Sequence, residues 1–139
     1  MSMKNIQLKI VLPHKVLPSE EVGQIVIPAE KGMMTIIPDR APTTVLLKNG
    51  IVDVLNAQGV SQKKYFIQSG VANIAADKCM IITEKALNLS ELKTEDIQNM
   101  KTEYMEEMEE IKKSFSSQNQ IDTGIEFYDE VLNYLKYNQ

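Results

Sequence analysis

The residue types best suited to chemistry each occur once in this 139-residue chain, as His14, Cys79 and Arg40. General acid–base catalysis near neutral pH needs a group such as histidine beside a second reacting group. A metal site needs three or four convergent ligands. His14 and Cys79 are far apart in the sequence, and no phosphate loop, dinucleotide fingerprint or nucleophile motif accompanies them. We therefore predict no catalytic residues, no metal and no cofactor, and an enzyme that uses His14 or Cys79 is the weakest alternative.

The charge is divided unevenly along the chain. Residues 1–86 carry ten Lys and Arg against seven Asp and Glu, whereas residues 87–139 carry five against twelve. Neither half has the strongly basic character of a nucleic-acid-binding protein. No apolar run approaches the length that crosses a bilayer. We therefore expect no nucleic-acid partner, and membrane contact only through another protein.

The first half of the chain has the period of β-strands. Apolar and polar residues alternate from Ile6 to Leu12 and again around Val22–Ile27, where one extra residue near Gly23 predicts a bulge. Turn residues separate further β-rich runs every 8–12 residues, which is typical of a sandwich or barrel. These runs are Thr43–Lys48, Ile51–Leu55, Val60–Gln68, Val71–Ala75 and Cys79–Thr83.

The second half has the period of α-helices. An apolar stripe recurs every three or four residues, and a polar run from 116 to 120 separates it from a second stripe. Ser90 or Thr94 could cap the first helix, and Asp122 or Thr123 the second. The first stripe is Ile97, Met100, Tyr104, Met108, Ile111 and Phe115; the second is Ile121, Ile125, Tyr128, Leu132 and Leu135. We predict an all-β domain over residues 1–86 and a two-helix hairpin over residues 87–139.

One segment, residues 32–52, reads GMMTIIPDRAPTTVLLKNGIV and places a Pro-rich loop, residues 38–42, between two apolar runs. It resembles the G-x-x-x-x-x-P-x-H-A-P-x-x-x-x-x-x-x-G-x-x-x-v signature of the epsilon subunit of bacterial F-type ATP synthases, called delta in mitochondria. Residues 69–73 resemble the G-G-x-x-x element of the same family. Arg40 stands where that family commonly has His. The resemblance extends over nearly the whole chain.

The resemblance implies a flattened β-sandwich of about ten strands followed by an antiparallel helical hairpin. It also implies a rotor subunit of the central stalk with no active site of its own. Such a subunit binds gamma, and one end of its sandwich meets the c-ring, so that proton-driven rotation is coupled to ATP synthesis. The implied location is peripheral, at the cytoplasmic face of the bacterial inner membrane.

Carried over residue by residue, the resemblance implies c-ring contacts in two segments. The first segment is Glu30, Lys31, Gly32 and Met33, and the second is Asp39, Arg40, Ala41 and Pro42. Arginine in place of histidine keeps a hydrogen-bond donor and makes the charge permanent. We expect Arg40 to favour a contact with a carboxylate of the ring. For the apolar run around Met33, the residues alone leave a buried strand and an exposed contact surface as alternatives.

The hairpin is expected to differ from that of many relatives. In bacterial relatives it can reach the catalytic-head subunits and inhibit ATP hydrolysis, often through a basic second helix. In this chain the second helix has one basic residue, Lys136, and four acidic residues. Residues 89–94 read LSELKT where ATP-binding relatives have I-D-x-x-R-A. We expect weak or absent inhibition and no strong ATP binding. Whether the hairpin is folded or extended stays open.

A second function stays open on the residues alone. The chain could be a generic β-sandwich protein-binding module whose helical hairpin serves for dimerisation. That alternative predicts a stable self-associated species that is indifferent to a gamma subunit.

Overall fold

The strands precede the helices in the computed structural model, which describes residues 5–112 and 118–137. The described residues form eleven strands and two helices, and this order confirms the predicted fold class. The strands are β1 Ile6–Leu12, β2 Lys15–Val16, β3 Glu20–Val22, β4 Gln24–Ala29, β5 Gly32–Ile36, β6 Thr43–Leu47, β7 Gly50–Leu55, β8 Ser61–Ile67, β9 Gly70–Ile74, β10 Lys78–Ile82 and β11 Ala86–Asn88. The helices are α1 Thr94–Lys112 and α2 Gln118–Tyr137.

The strands make two layers with one shared interior. One layer has the order β11-β8-β7-β4-β5, and the other has β6-β9-β10-β1 with β2 and β3 paired to β1. A single β4–β6 pairing, Ala29 with Leu47, joins the layers at one edge. Alternate residues of both layers point inward and form one buried cluster, because each strand presents every second side chain to the same side. The cluster is Ile6, Leu8, Ile10, Val22, Ile25, Ile27, Ile36, Leu47, Val52, Val54, Tyr65, Ile67, Ala72, Ile74, Cys79 and Ile81.

Residues 20–29 cross from one layer to the other at Gly23. Before this residue, Val22 pairs with Ile6 of β1; after it, Gln24 pairs with Leu55 of β7. The sequence predicts an irregularity at this point, and the structure places the corner of the sandwich there. A Cβ atom on Gly23 would lie 2.2 Å from the Ala57 backbone nitrogen, so no other residue can occupy the corner unchanged.

The chain divides into two compact units, Met1–Ser90 and Glu91–Gln139. The sequence analysis places the division at residues 86/87. The structure places it later because β11 pairs with β8 and therefore belongs to the first unit. The sequence analysis did not anticipate β2 or β11, which are only two and three residues long.

The two helices begin differently from the sequence predictions. α1 begins at Thr94, one of the two residues predicted to cap it, and Ser90 lies outside the helix. The Lys93 N–H donates to Asp96 Oδ2 at 2.8 Å, so this carboxylate caps the start of α1. α2 is already helical at Gln118; Asp122 and Thr123 therefore lie inside it, and the prediction that one of them caps it is wrong. Ile97, Phe127, Tyr128 and Val131 are buried. The stripe members Ile111, Phe115 and Ile121 lie outside the residues whose side chains the structure describes.

Neither helix, over its described residues, is long and apolar enough to cross a membrane.

Candidate functional site

His14 and Cys79 occupy unrelated places in the sandwich. His14 is exposed in the turn between β1 and β2. Cys79 is fully buried on β10, and burial raises the pKa of its thiol from 9.0 to about 11. A thiol with so high a pKa stays protonated near neutral pH and is a poor nucleophile. Over residues 5–112 and 118–137, no group of three or more His, Cys, Asp or Glu could hold a metal ion.

We call the two segments that are predicted to contact the c-ring the ring segments. The first of them, Glu30–Met33, is a tight hairpin turn. Ala29 pairs with Gly32, so Glu30 and Lys31 form a two-residue turn between β4 and β5. Gly32 has a φ of 137°, a conformation that favours glycine. Met33, the next residue, is 60% exposed although it lies in a strand. The segment thus presents two opposite charges and one apolar side chain on a fixed backbone.

The second predicted ring segment is a loop held from both sides. The Asp39 N–H donates to the Ala76 carbonyl at 2.8 Å, and the Arg40 guanidinium donates to the Thr35 carbonyl at 3.4 Å. The Thr43 hydroxyl donates to the Ala41 carbonyl at 3.0 Å. These hydrogen bonds fix the loop against β5 and against the turn that precedes β10.

The structure does not bring the two ring segments together. The first segment precedes and enters β5, whereas the second follows that strand. Five residues at about 3.3 Å each separate them by roughly 16 Å. β6 runs between the same two ends, since Leu47 pairs with Ala29 while Thr43 lies beside the second segment. The eight residues therefore form two patches at opposite ends of the sandwich.

A row of apolar side chains crosses the outer face of the β6-β9-β10-β1-β2 layer. The register pairs Leu46 with Val71, Val71 with Ile82, Ile82 with Val11, and Val11 with Val16. Leu46 is 56% exposed, Val16 52% and Ile82 43%, and the other two are partly exposed. Paired residues share one face, so these five side chains form a continuous strip about 19 Å long at a strand spacing of about 4.8 Å. We call these five residues the apolar row.

One end of the sandwich adds a hollow to the apolar row. The hollow has a volume of about 390 Å³. Its walls are mainly apolar, and three of them belong to the apolar row: Val11, Val71 and Ile82. The remaining lining residues are Leu12, Pro13, Gln68, Ser69, Gly70, Thr83 and Glu84.

Buried hydrogen bonds fix the base of the hollow. The Thr83 hydroxyl donates to the Ser69 carbonyl at 2.5 Å and lies 3.0 Å from the Gln68 carbonyl. Gly70 adopts a φ of 140°, and a Cβ atom there would lie 2.0 Å from the Ile82 carbonyl oxygen. The walls are therefore positioned by backbone contacts that leave no room for adjustment.

Charged residues of both signs share the outer face with the apolar row. Lys9 lies two residues before Val11, and Lys78 lies four residues before Ile82, so both lysines are on the same outer face. Glu21 pairs with Gln7 on this face as well. The solvent-facing side of a strand layer that packs on the core with its other side is commonly polar. A long apolar strip on such a face is typical of a surface that another protein covers.

The comparisons with known proteins identify the family. The family model described as "ATP synthase, Delta/Epsilon chain, beta-sandwich domain" matches residues 5–89. The ATP synthase epsilon chain of Rhizobium johnstonii is 36% identical over 93 residues, which are 67% of this chain and 68% of that protein. The epsilon chain of Rhizobium meliloti is 33% identical over 96 residues, 69% of this chain and 71% of that one. The chain belongs to the ATP synthase delta/epsilon family.

Two solved structures resemble this chain in fold over the helices as well as over the sandwich. A chain of the Euglena gracilis mitochondrial ATP synthase, in a structure of its OSCP, F1 and c-ring, matches with a TM-score of 0.64 at 22% identity. That match covers 94% of this chain and 81% of the other. A chain of the Tetrahymena thermophila mitochondrial ATP synthase central stalk and c-ring has a TM-score of 0.55 at 9% identity, covering 95% and 99%. At these identities the likeness concerns the fold alone.

Family membership confirms two predictions. The suspected resemblance is correct, and a delta/epsilon chain is an accessory subunit of ATP synthase with no catalytic function of its own. The enzyme alternative with His14 or Cys79 is therefore excluded.

The sequence patterns did not predict the apolar row, although the sequence contains a signal for it. Apolar doublets occur at or near the ends of three strands, at Ile10-Val11, Leu46-Leu47 and Ile81-Ile82. A doublet puts one apolar side chain on each face of its strand, so it marks a strand that is apolar outside as well as inside. Only the strand register shows that the outward members are neighbours.

Proposed function

We propose that this chain is a non-catalytic central-stalk subunit of an F-type ATP synthase. In this role it couples proton-driven rotation of the c-ring to ATP synthesis through the gamma subunit. Family membership supports the proposal, as does the likeness in fold to chains from structures titled F1/c-ring and central stalk/c-ring. The observation that carries it is the apolar row, because a solvent-facing apolar strip on a rigid layer serves a protein contact and no reaction.

The proposed occupant of the apolar row is the gamma subunit. Association through apolar area would keep the two proteins fixed during rotation. The hollow beside Val71 would accept one protruding apolar side chain. Such anchors in pockets usually dominate the energetics of an interface.

The proposed c-ring contacts are the two segments of the sequence analysis. A flat partner at one end of the sandwich can contact Glu30–Met33 or Asp39–Pro42, but the length of β5 keeps both from the same plane. The first segment lies at the end where the hollow opens, and we propose it as the main ring contact. The second segment is then available to the ring or to gamma from the opposite end.

The proposed location is peripheral, at the cytoplasmic face of the bacterial inner membrane. Gamma and the c-ring would hold the chain there, and contact with lipid would be indirect. The hairpin is the proposed surface for the catalytic-head subunits. Its acidic second helix supports weak or absent inhibition of ATP hydrolysis, because acidic partner loops would repel it.

Co-purification of the full-length chain with a gamma subunit tests the proposal. We expect wild-type chain and Val60→Glu to bind gamma, and Leu46→Glu and Ile82→Glu to lose at least tenfold in affinity. Val60 is the matched control because it is 56% exposed, as Leu46 is, but lies outside the apolar row, immediately before β8. A charge buried in an apolar interface has no compensating partner, whereas a charge at a free surface stays in water.

The outcomes separate the function from the docking face. If the wild-type chain does not bind gamma and light scattering shows a stable dimer, the stalk role is wrong and the generic binding module is favoured. If wild type and all three variants bind gamma equally, the stalk role stands and the apolar row is not the contact.

A further inference from the structure

A glycine lies inside α2, where an α-helix does not favour it. Gly124 is buried and is followed by more than three further turns of helix. Glycine in a helix interior disfavours the helix roughly fivefold relative to alanine. A buried glycine in such a place calls for a contact that a methyl group would prevent.

Tyr104 of α1 makes that contact. A Cβ atom on Gly124 would lie 2.1 Å from Tyr104 Oη and 2.2 Å from its Cζ. The tip of the ring therefore occupies the space that any other residue at position 124 would fill. The ring also contacts Tyr128, one turn further along α2, with 5.7 Å between the ring centroids.

A second contact shows that the two helices are antiparallel in this register. Lys101 Nζ lies 2.6 Å from Asp129 Oδ1. As α1 advances from Lys101 to Tyr104, its partners in α2 move back from Asp129 to Gly124. A slip by one residue in either helix would place the Tyr104 ring against a side chain with a Cβ atom instead of the glycine.

We propose that Tyr104 seated on Gly124 is a latch that holds the helical hairpin closed and fixes its register. The helices cannot separate unless the ring leaves the glycine, so any event that opens the hairpin must first displace this one side chain. The latch does not depend on the proposed stalk role. It concerns only how α1 packs on α2 within the hairpin.

A Gly124→Ala substitution has two opposing effects on the stability of the hairpin. Whether it stabilises or destabilises the hairpin therefore tests the proposal. Alanine is the better helix former, so without a latch the substitution stabilises the hairpin roughly fivefold. With the latch, the methyl group displaces the Tyr104 ring, and the hairpin is destabilised. Removing the ring by Tyr104→Ala should restore the stabilising sign, since the methyl group then has room.

Hydrogen exchange followed by mass spectrometry measures both signs in the full-length chain. Four proteins are compared: wild type, Gly124→Ala, Tyr104→Ala and the double variant. Amide exchange in native protein reports the equilibrium between closed and open helices. We expect Gly124→Ala to speed exchange of the helical peptides at least tenfold. The same substitution in the Tyr104→Ala background should slow it about threefold to fivefold.

A control substitution isolates the latch from general helix propensity. Asn133→Ala changes an exposed residue of the same helix to the best helix former. It should slow exchange slightly, whether or not Tyr104 is present. Should Gly124→Ala prevent the helices from forming, the exchange of Tyr104→Ala alone still decides, because loss of the latch must speed exchange severalfold there.

The proposal is overturned if Gly124→Ala slows exchange in both backgrounds by the same factor. In that case the glycine and the tyrosine act independently, and their contact holds nothing closed. It is equally overturned if Tyr104→Ala leaves the exchange of both helices unchanged.

Discussion

Close-packed glycines occur in both units, but different atoms lie against them. In the sandwich, Gly23 approaches the Ala57 backbone nitrogen and Gly70 approaches the Ile82 carbonyl oxygen. In the hairpin, Gly124 approaches the tip of the Tyr104 side chain. Backbone atoms cannot move aside unless the chain itself shifts, whereas a side chain can rotate away. The sandwich is therefore fixed by contacts without an alternative, and the hairpin by a contact that one rotamer change removes.

The match to the family model ends at the boundary between the two units. The family model matches residues 5–89 and ends before α1 begins. The sandwich is thus the part that identifies the family, and it contains the apolar row and both candidate ring segments. The hairpin contains the acidic second helix, on which the expectation of weak or absent inhibition depends. The rigid sandwich and the adjustable, acidic hairpin are therefore suited to different functions.

Among the substitutions considered, one at Gly70 is expected to destabilise the sandwich most. Gly70→Ala places a methyl group 2.0 Å from the Ile82 carbonyl oxygen at a φ of 140°. We expect a loss of at least about 3 kcal/mol in the free energy of unfolding, because both the overlap and the backbone conformation are unfavourable. Urea denaturation followed by circular dichroism measures it.

Gly59 provides the control for that substitution. It also has a positive φ, 83°, but a Cβ atom there would meet nothing within 4 Å. Gly59→Ala should cost only about 1 kcal/mol, the value for backbone strain without overlap. Equal costs at positions 59 and 70 would show that the sandwich relaxes around an added methyl group as easily as a side-chain contact does.

The next effect concerns pH and Cys79. Burial raises the pKa of this thiol from 9.0 to about 11, so the unfolded chain loses the proton before the folded one does. The contribution to stability is complete below pH 9.0 and is lost as the pH rises to about 11. A shift of this size corresponds to a loss on the order of 2–3 kcal/mol.

Cys79→Ala isolates this contribution. Burial also raises the pKa values of Tyr104 and Tyr128 in the hairpin, and Glu20 raises that of Lys63, so wild-type stability at alkaline pH falls for several reasons. The difference between wild type and Cys79→Ala should shrink between pH 9 and 11. A difference that stays constant over this range would mean that water reaches the interior of the sandwich.

A smaller effect compares one ion pair from each unit. Lys63 pairs with Glu20 in the sandwich, and Lys101 pairs with Asp129 in the hairpin; all four side chains are a quarter to a half exposed. Lys63→Met and Lys101→Met should each cost less than about 1 kcal/mol, and less still in 0.5 M salt, since partly exposed pairs are screened. A cost of several kcal/mol for Lys101→Met would show that the ion pair, and not Tyr104, holds the hairpin closed.

The sequence predicted the units better than it predicted their surfaces. Periods of two and 3.6 residues identified the strands from Ile6 to Thr83 and both helices, because periodicity needs only neighbouring residues. The apolar row needs the register of strands distant in sequence: Leu46 and Ile82 are 36 positions apart and share Val71 as a neighbour. No local pattern contains that information.

The two ring segments show a second limit of sequence patterns. They occur together in one motif, which suggests one contact. The residues between them form β5, and a strand of five residues carries the chain from one end of the sandwich to the other. The two segments are therefore close in the sequence but far apart in the structure. Glycine at position 124 is a similar case, because its partner Tyr104 belongs to the other helix.

The smallest expected effect on stability is that of Arg40, and it bears on partner binding. Its hydrogen bond to the Thr35 carbonyl is long and exposed, so Arg40→Ala should change the free energy of unfolding by less than about 0.5 kcal/mol. If Arg40 contacts a ring carboxylate, the same variant should weaken ring association about twofold to fivefold and reduce the coupling of rotation to ATP synthesis. Arg40→Lys, which keeps the charge, is the matched variant and should retain most of both. Undiminished association and coupling in Arg40→Ala would remove this residue from the ring contact and leave Glu30–Met33, at the opposite end of β5, as the segment to test.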